Sequence, residues 1–395
     1  MTEAGAGRNN RPVTEPRRVR TWIEVDTGAL ARNLGIFRGL LPPACRLMAV
    51  AKSNAYGHGL YDFVPAVERL GADWVGVDSI VEAATLREVG IRTPILVLGY
   101  TLPSLFEEAV RGDVRLTISS FENLAALLDS PFRERLGIHL KIDTGLHRQG
   151  FLPADMSRLV GLLRERARSL KVEGVYTHFA RAKDPEDTST TRLQVEAFEK
   201  AAADISAVGF RPLRHACATA GALLHPEAHY DMVRVGIGLA GLWPSSKMRE
   251  SFGGRLDLRP ILAWRTLVSE VKSLPRGAGV GYDLSERLVQ DSRVGVCPVG
   301  YWHGFPRSLS RRGEVLVGGR RARVLGTVTM DMIVIDLTDV PGAAVGDVVT
   351  LVGRDGADEI TAVEAAARAG QSPYEFLTRL NPLIRKTYGS SRPGP

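Results

Sequence analysis

From about residue 22 to 240 the chain repeats one unit: a short apolar run, a polar turn, then a segment with helical periodicity. The apolar runs are RLMAVA (46–51), WVGV (74–77), PILVLG (94–99), VRLTI (114–118), IHLKI (138–142), KVEGVYTH (171–178), LRHACA (213–218) and DMVRVGI (231–237). Between them, segments such as LYDFVPAVERLG and TRLQVEAFEKAAADISAVG space their apolar residues as helices do. Gly71, Gly90 and Gly209 stand where a helix closes on a left-handed cap. Strands alternating with helices predict a parallel sheet, and eight such repeats fit a (β/α)8 TIM-like barrel better than an open doubly wound sheet.

After about residue 245 the texture changes. RVGVCPVG, EVLVGG, RARVLGTV, MIVIDLTDV and DVVTLVG are β-branched, alternate apolar with polar, and are separated by Gly, Pro and Asp, the mark of antiparallel strands joined by hairpins. Only DEITAVEAAARAG and PYEFLTRL read as helices there. The division expected is a basic, disordered extension at 1–20, the barrel at 21–245, and a mostly antiparallel β domain at 246–395. The TWIEVD segment forms one more short strand and is placed with the β domain.

Charge narrows the functional classes. The formal net charge is +7, but residues 1–20 hold five Arg against two Glu, and Arg385, Lys386 and Arg392 stand near the other end with no acid beside them. The body between is close to neutral, whereas a nucleic-acid enzyme lines a groove of its folded body with cations. No apolar run approaches the ~20 residues of a membrane-spanning helix. The first twenty residues lack an apolar signal-peptide core, and Glu3 and Glu15 with no Ser disfavour a mitochondrial presequence. Cys45, Cys217 and Cys297 supply neither a disulfide framework nor a metal-ligand spacing, so no metal is expected and the cytoplasm is the plain reading.

The most loaded stretch is AKSNAYGHG (51–59), where Lys52 ends an apolar strand. Strand ends on that face of a barrel are where active sites assemble, and a lysine partly stripped of water can form a Schiff base. By itself Lys52 reads equally as a solvated lysine in a turn. Other strands deliver polar residues to the same rim: Asp143, Thr144 and Arg148 after IHLKI, His178 at the end of VEGVYT, Thr219 after LRHACA, and Arg234 with Gly236 and Ile237 at the close of DMVRVGI. Each alone has a bland reading; Arg148 reads as a surface cation, His178 as a core histidine, Thr219 as a helix cap. Their convergence does not read as packing. Thr219 and Gly236-Ile237 follow the seventh and eighth strands, where barrels commonly hold a phosphate. A phosphate site and a Schiff-base lysine on one rim suggest pyridoxal 5'-phosphate (PLP). Residues 236–241 also fit the dinucleotide fingerprint, but Trp243-Pro244 stops the helix that fingerprint must open.

With these motifs the chain resembles the bacterial alanine racemase family of PLP enzymes over about residues 20–390. The resemblance rests on AVAKSNAYGHG (49–59), KIDTGLHRQG (141–150), YTHFA (176–180), MVRVGIG (232–238), GVGYD (279–283), VGYWHGFPR (299–307) and VLGTVTMDM (324–332). It implies a homodimer acting on a small amino acid, in which the β domain completes the partner's site. It implies further that Lys52 carries PLP and acts as one base, with Tyr282 as the other base from the second subunit. Arg234 would donate to the pyridine nitrogen, and His178 would lie against the ring. Tyr56, Thr219, Gly236, Ile237 and Tyr388 would bind phosphate. Arg148 would hold the substrate carboxylate; Met330 and Tyr301 would line the substrate side with Asp331 in support. Lys141 matches a lysine that many members carbamylate.

Four positions depart from the pattern. The usual Asn-Ser pair is Ala218-Thr219, His303 replaces an Asp, Leu146-His147 precede Arg148, and the last signature reads Leu383-Ile384-Arg385-Lys386. These leave open a racemase of other or more amino acids. Two further readings are a PLP-binding homeostasis protein, which lacks a second domain, and a fold-related decarboxylase, which needs a C-terminal cysteine near the cofactor.

Overall fold

The structure, a computed structural model, describes residues 19–390, so the expectation of a disordered extension at 1–20 falls almost wholly outside the described residues, as does Arg392. The chain divides into two units. One comprises Glu24–Leu262, Ser372–Pro382 and the chain from Tyr388; the other comprises Ala263–Gln371, the segment up to Ile23, and Leu383–Thr387.

The first unit is the expected barrel. Its strands are β1 (Arg46–Val50), β2 (Trp74–Val77), β3 (Ile95–Val97), β4 (Val114–Ile118), β5 (Gly137–Lys141), β6 (Lys171–Tyr176), β7 (Leu213–His215) and β8 (Met232–Val235). All neighbours pair in parallel from β1 round to β7, and β8 pairs with β1. The seam between β7 and β8 closes more sparsely. A single bridge joins Ala218 to Arg234, where Arg234 N–H donates to the Cys217 carbonyl at 2.9 Å. Met48, Val50, Trp74, Leu96 and Met232 pack as one apolar cluster.

This unit runs to Leu262, past the change of texture near 245, because the intervening segment is tied to the first helix. Ser246–Phe252 is helical; beyond it, Arg32 pairs with Asp257 at 2.7 Å, and the buried Asn33 amide donates to Leu239 and Arg259 carbonyls at 3.1 and 2.8 Å.

The second unit is the expected mostly antiparallel sheet. Ser292–Cys297 pairs with Glu270–Leu274 and Ile333–Asp336, and Glu314–Val317 pairs with Arg320–Leu325 and Val348–Asp355. Thr21–Asp26 joins this sheet, as its pattern implies. Gly279–Val280 and Glu286–Arg287 form a separate small hairpin. Among the described residues no helix is long and apolar enough to cross a membrane.

Candidate active site

At the end of β1 the backbone leaves the right-handed world. Ser53, Asn54, Ala55 and Tyr56 all have positive φ, at 56, 56, 52 and 53°. Left-handed turns cost non-glycine residues about 1–2 kcal/mol each, so a run of four persists only where its surroundings impose it. They do so here. Ala55 N–H returns to the Ala51 carbonyl at 2.8 Å, the Asn54 side chain accepts from Leu60 N–H at 2.8 Å, and the Glu82 carboxylate accepts from Ser53 and Asn54. Gly57, at φ 83°, passes so close to Leu377 that a Cβ would lie 2.0 Å from its carbonyl oxygen. The turn launches Lys52 into a cavity of about 380 Å³.

That cavity gathers seven of the residues expected at the site: Lys52, Tyr56, Arg148, His178, Thr219, Gly236 and Ile237. It adds two that sequence reasoning passed over, Lys183 and Tyr374. Its charged lining residues are cations, Lys52, Arg148 and Lys183, with no carboxylate among them, an environment for an anion. Gly236 is required by close approach, since a Cβ there would meet the Tyr56 hydroxyl at 2.5 Å. Thr219 is not the cap of its helix; Ala218 holds that position, and the Thr219 hydroxyl accepts from Gly236 and Gly238 N–H at 3.2 and 3.4 Å. Tyr374 meets Tyr56 edge to face at 6.2 Å. Burial pushes the Tyr56 phenol well above its ordinary pKa, so it is a donor here. Tyr388 lies elsewhere: its hydroxyl donates to the His58 carbonyl at 2.9 Å, and it does not line the cavity. The tyrosine that does is Tyr374, carried on the helix Pro373–Thr378.

Arg148 stands at the end of a loop organised by Asp143. That carboxylate accepts backbone N–H groups from Gly145, Leu146, His147 and Arg148 at 2.8–3.0 Å. Burial opposes its ionisation, but the four amides prevail and hold its pKa below the ordinary aspartate value. Lys141, 5% exposed, donates to Gln149 Oε1 at 3.0 Å. Burial, then Arg148 and Arg234, push its pKa down to about 8.

Arg234 is buried and heavily bonded. Its guanidinium donates to the carbonyls of Thr177, Ala216 and His215 at 2.7, 2.8 and 3.0 Å, and to Nδ1 of His215 and His178 at 3.0 and 3.3 Å. A guanidinium only donates, so both Nδ1 atoms are lone pairs and both histidines carry their proton on Nε2. From His215 that Nε2–H passes to His139 Nδ1 at 2.8 Å, while Tyr176 stacks on the His215 ring at 4.7 Å. Burial, followed by neighbouring arginines, lowers His139 and His178 to about 3, and burial with Arg234 puts His215 well below its ordinary value. Arg234 itself comes down to about 10 through burial and stays cationic at neutral pH.

Tyr282, Tyr301, Met330 and Asp331 lie in the second unit and do not line this cavity. Tyr282 is 71% exposed, on a turn held by Ser285 bonded to Thr327 at 2.9 Å. Tyr301 and Met330 are brought together: Tyr301 N–H donates to Thr329 and Trp302 N–H to Met330, at 3.0 and 2.9 Å. His303, where the family pattern has Asp, accepts Gly300 N–H on Nδ1 at 3.2 Å. Cys297 is wholly buried in its strand, with burial raising its thiol pKa, so it offers no reactive sulfur.

Comparison with known proteins agrees with this layout along most of the chain. Residues 25–244 match the model for the alanine racemase N-terminal domain, and residues 261–388 match that for the C-terminal domain. The alanine racemase of Symbiobacterium thermophilum is 42% identical over 374 residues, 93% of this chain and 97% of the relative. That of Methanococcus maripaludis is 36% identical over 93% of this chain and 98% of its own length. Among solved structures, alanine racemase from Bacillus anthracis with bound L-Ala-P superposes with a TM-score of 0.89 at 31% identity, covering 96% of this chain and 97% of that one. Both units, in this order and at these identities, have one explanation: the chain belongs to the alanine racemase family.

Proposed function

We propose that the chain interconverts L- and D-alanine in the cytoplasm, supplying D-alanine for peptidoglycan, with PLP held in the barrel cavity and the site completed by a second copy of the chain. The residues present fit PLP. A cation-lined cavity offers the amine of Lys52, a glycine cradle at Gly236 that any Cβ would fill, and the hydroxyls of Tyr56 and Thr219. Tyr56, Thr219, Gly236, Ile237 and, in place of Tyr388, Tyr374 hold the phosphate. Bound there, PLP supplies an electron sink for the substrate's α-carbon.

The chain's own residues do the rest. Lys52 Nζ carries the cofactor and moves a proton at the α-carbon on one face. Racemisation needs a base on each face, because a proton removed from one side is returned from the other. Three groups of the lining are poorly suited to that work: His178 is held neutral by burial, and burial holds the Tyr56 and Tyr374 phenols protonated. The second base is the partner's Tyr282. Arg148 binds the substrate carboxylate and is oriented by Lys141, which, partly neutral at physiological pH, is the amine suited to carbamylation. Arg234 keeps a cation beside the ring nitrogen position with His178 against it. Met330 and Tyr301 of the second subunit line the substrate side, with Asp331 in support. The observation that carries this reading is Lys52, presented by a left-handed turn into a cavity whose charged lining is all cationic.

Subunit exchange tests it. A Lys52→Ala protein and a Tyr282→Phe protein are each nearly inactive. In a hybrid dimer with bases shared across the interface, one site carries both lesions and the other carries none. Random exchange should then restore about a quarter of wild-type activity, since about half the dimers are hybrids and each holds one intact site. No recovery in verified hybrids would place both bases on one chain and refute the shared site.

A further inference from the structure

Glu82 is the third residue of the helix Ile80–Glu88, whose cap is Ser79. Ser79 and Glu82 have the spacing of a capping box, in which the glutamate turns back to the N–H of the cap residue itself. This carboxylate reaches elsewhere. Oε1 accepts Ser53 N–H at 2.8 Å and Asn54 N–H at 3.3 Å, and Oε2 accepts Asp78 N–H at 2.8 Å. One side chain thus ties the residue after β2 to the first two amides after Lys52. Those amides open the left-handed turn, where Ser53 and Asn54 both sit at φ 56°. Asp78 N–H fixes the carboxylate from the barrel side. Its other oxygen can then hold the strained turn without the glutamate swinging away.

We infer that Glu82 is a positioning residue for Lys52, clamping the left-handed turn so that the Lys52 amine enters the cavity. Glu82 does not line the cavity and acts only through backbone, so it handles no proton of the reaction. The inference rests on the proposal that Lys52 carries PLP.

The test strips the cofactor from wild type, Glu82→Ala, Glu82→Gln and Ser79→Ala proteins and adds pyridoxal 5'-phosphate. The rate of forming a borohydride-fixed label on the Lys52 peptide is followed beside the melting temperature. Glu82→Ala should slow capture about tenfold or more, the scale of losing charge-assisted hydrogen bonds to a strained segment. Glu82→Gln keeps the shape and one acceptor oxygen and should slow it severalfold; it carries the test if Glu82→Ala does not fold. Ser79→Ala removes the helix cap and should lower the melting temperature without slowing capture. Capture at the wild-type rate in the Glu82 variants overturns the clamp. Equal slowing in Ser79→Ala overturns it too, because loss of stability alone would then explain the effect. A wild-type label on any residue other than Lys52 overturns the cofactor assignment instead, and the inference with it.

Discussion

Lowering the pH from 7 to 5 should destabilise the barrel unit by about 6 kcal/mol, and three histidines, His139, His178 and His215, set that figure. His139 and His215 are fully buried and hydrogen-bonded to each other at 2.8 Å, with Arg234 donating to His215. Burial holds His139 and His178 at about 3 and His215 well below its ordinary value, each helped by nearby arginine charge. Unfolded, each titrates near ~6.5, so in this window only the unfolded chain takes up the proton. Folded-state values are depressed, so the stability is complete above the unfolded value and is lost as pH falls from there toward the folded one. From pH 7 to 5 the linkage is about 2 kcal/mol per histidine, a substantial part of the 5–15 kcal/mol typical of folded proteins. Urea unfolding across this range should show a slope near pH 5.5 of nearly three protons, or roughly 4 kcal/mol per pH unit. His139→Gln should remove about a third of the slope. A flat profile, or an unchanged slope in that variant, would mean that the buried histidines accept a proton in place, and would refute the reasoning.

Arg234→Lys replaces the four Nη hydrogens that serve five acceptors with three, so at least one buried donor is lost; at about 1–3 kcal/mol the barrel should melt several degrees lower. Racemisation per folded molecule should fall by about two orders of magnitude, whereas a lower melting point with an unchanged rate would reduce Arg234 to a purely structural residue. His303→Leu should leave Gly300 N–H without its acceptor and loosen the turn that presents Tyr301 beside Met330, raising KM for alanine by up to about tenfold with little change in kcat. His303→Asp should restore KM; failure to do so would show that the imidazole does more than accept this bond.

The barrel was legible because its strands are apolar on both faces and its helices are periodic, and both are local properties. The end of the barrel unit was not. What joins residues 246–262 to it is long-range: the Asn33 side chain on the Leu239 and Arg259 carbonyls, and the Arg32–Asp257 pair. Lys52, Arg148, His178, Thr219, Gly236 and Ile237 were singled out by their place after strands, and the fold converts that shared place into one cavity, with Arg234 buried outside its lining. Tyr374 was missed because PYEFLTRL lies within the second domain's stretch of sequence yet packs with the barrel unit. Glu82 was hidden by an ordinary explanation, the capping spacing from Ser79. The left-handed turn had no signal either, since Ser-Asn-Ala-Tyr carries none of the glycines that usually announce positive φ.

His139 and His215 are a different case, because strand alternation alone directs them inward, and a polar residue in an inward register should have been read as a demand for partners. Between β7 and β8 one bridge replaces a ladder, and beside it Arg234 serves carbonyls at the strand ends. Thr177, His215 and Ala216 receive its guanidinium, His215 in addition to Thr177 N–H at 3.3 Å. Buried carbonyls must be satisfied somewhere, and here a side chain serves three of them. The same cation lies against two histidines that burial, with its help, keeps neutral. Without these acceptors a buried guanidinium could not stay charged at low cost. A substitution at Arg234 must therefore be judged on folded protein and on rate together.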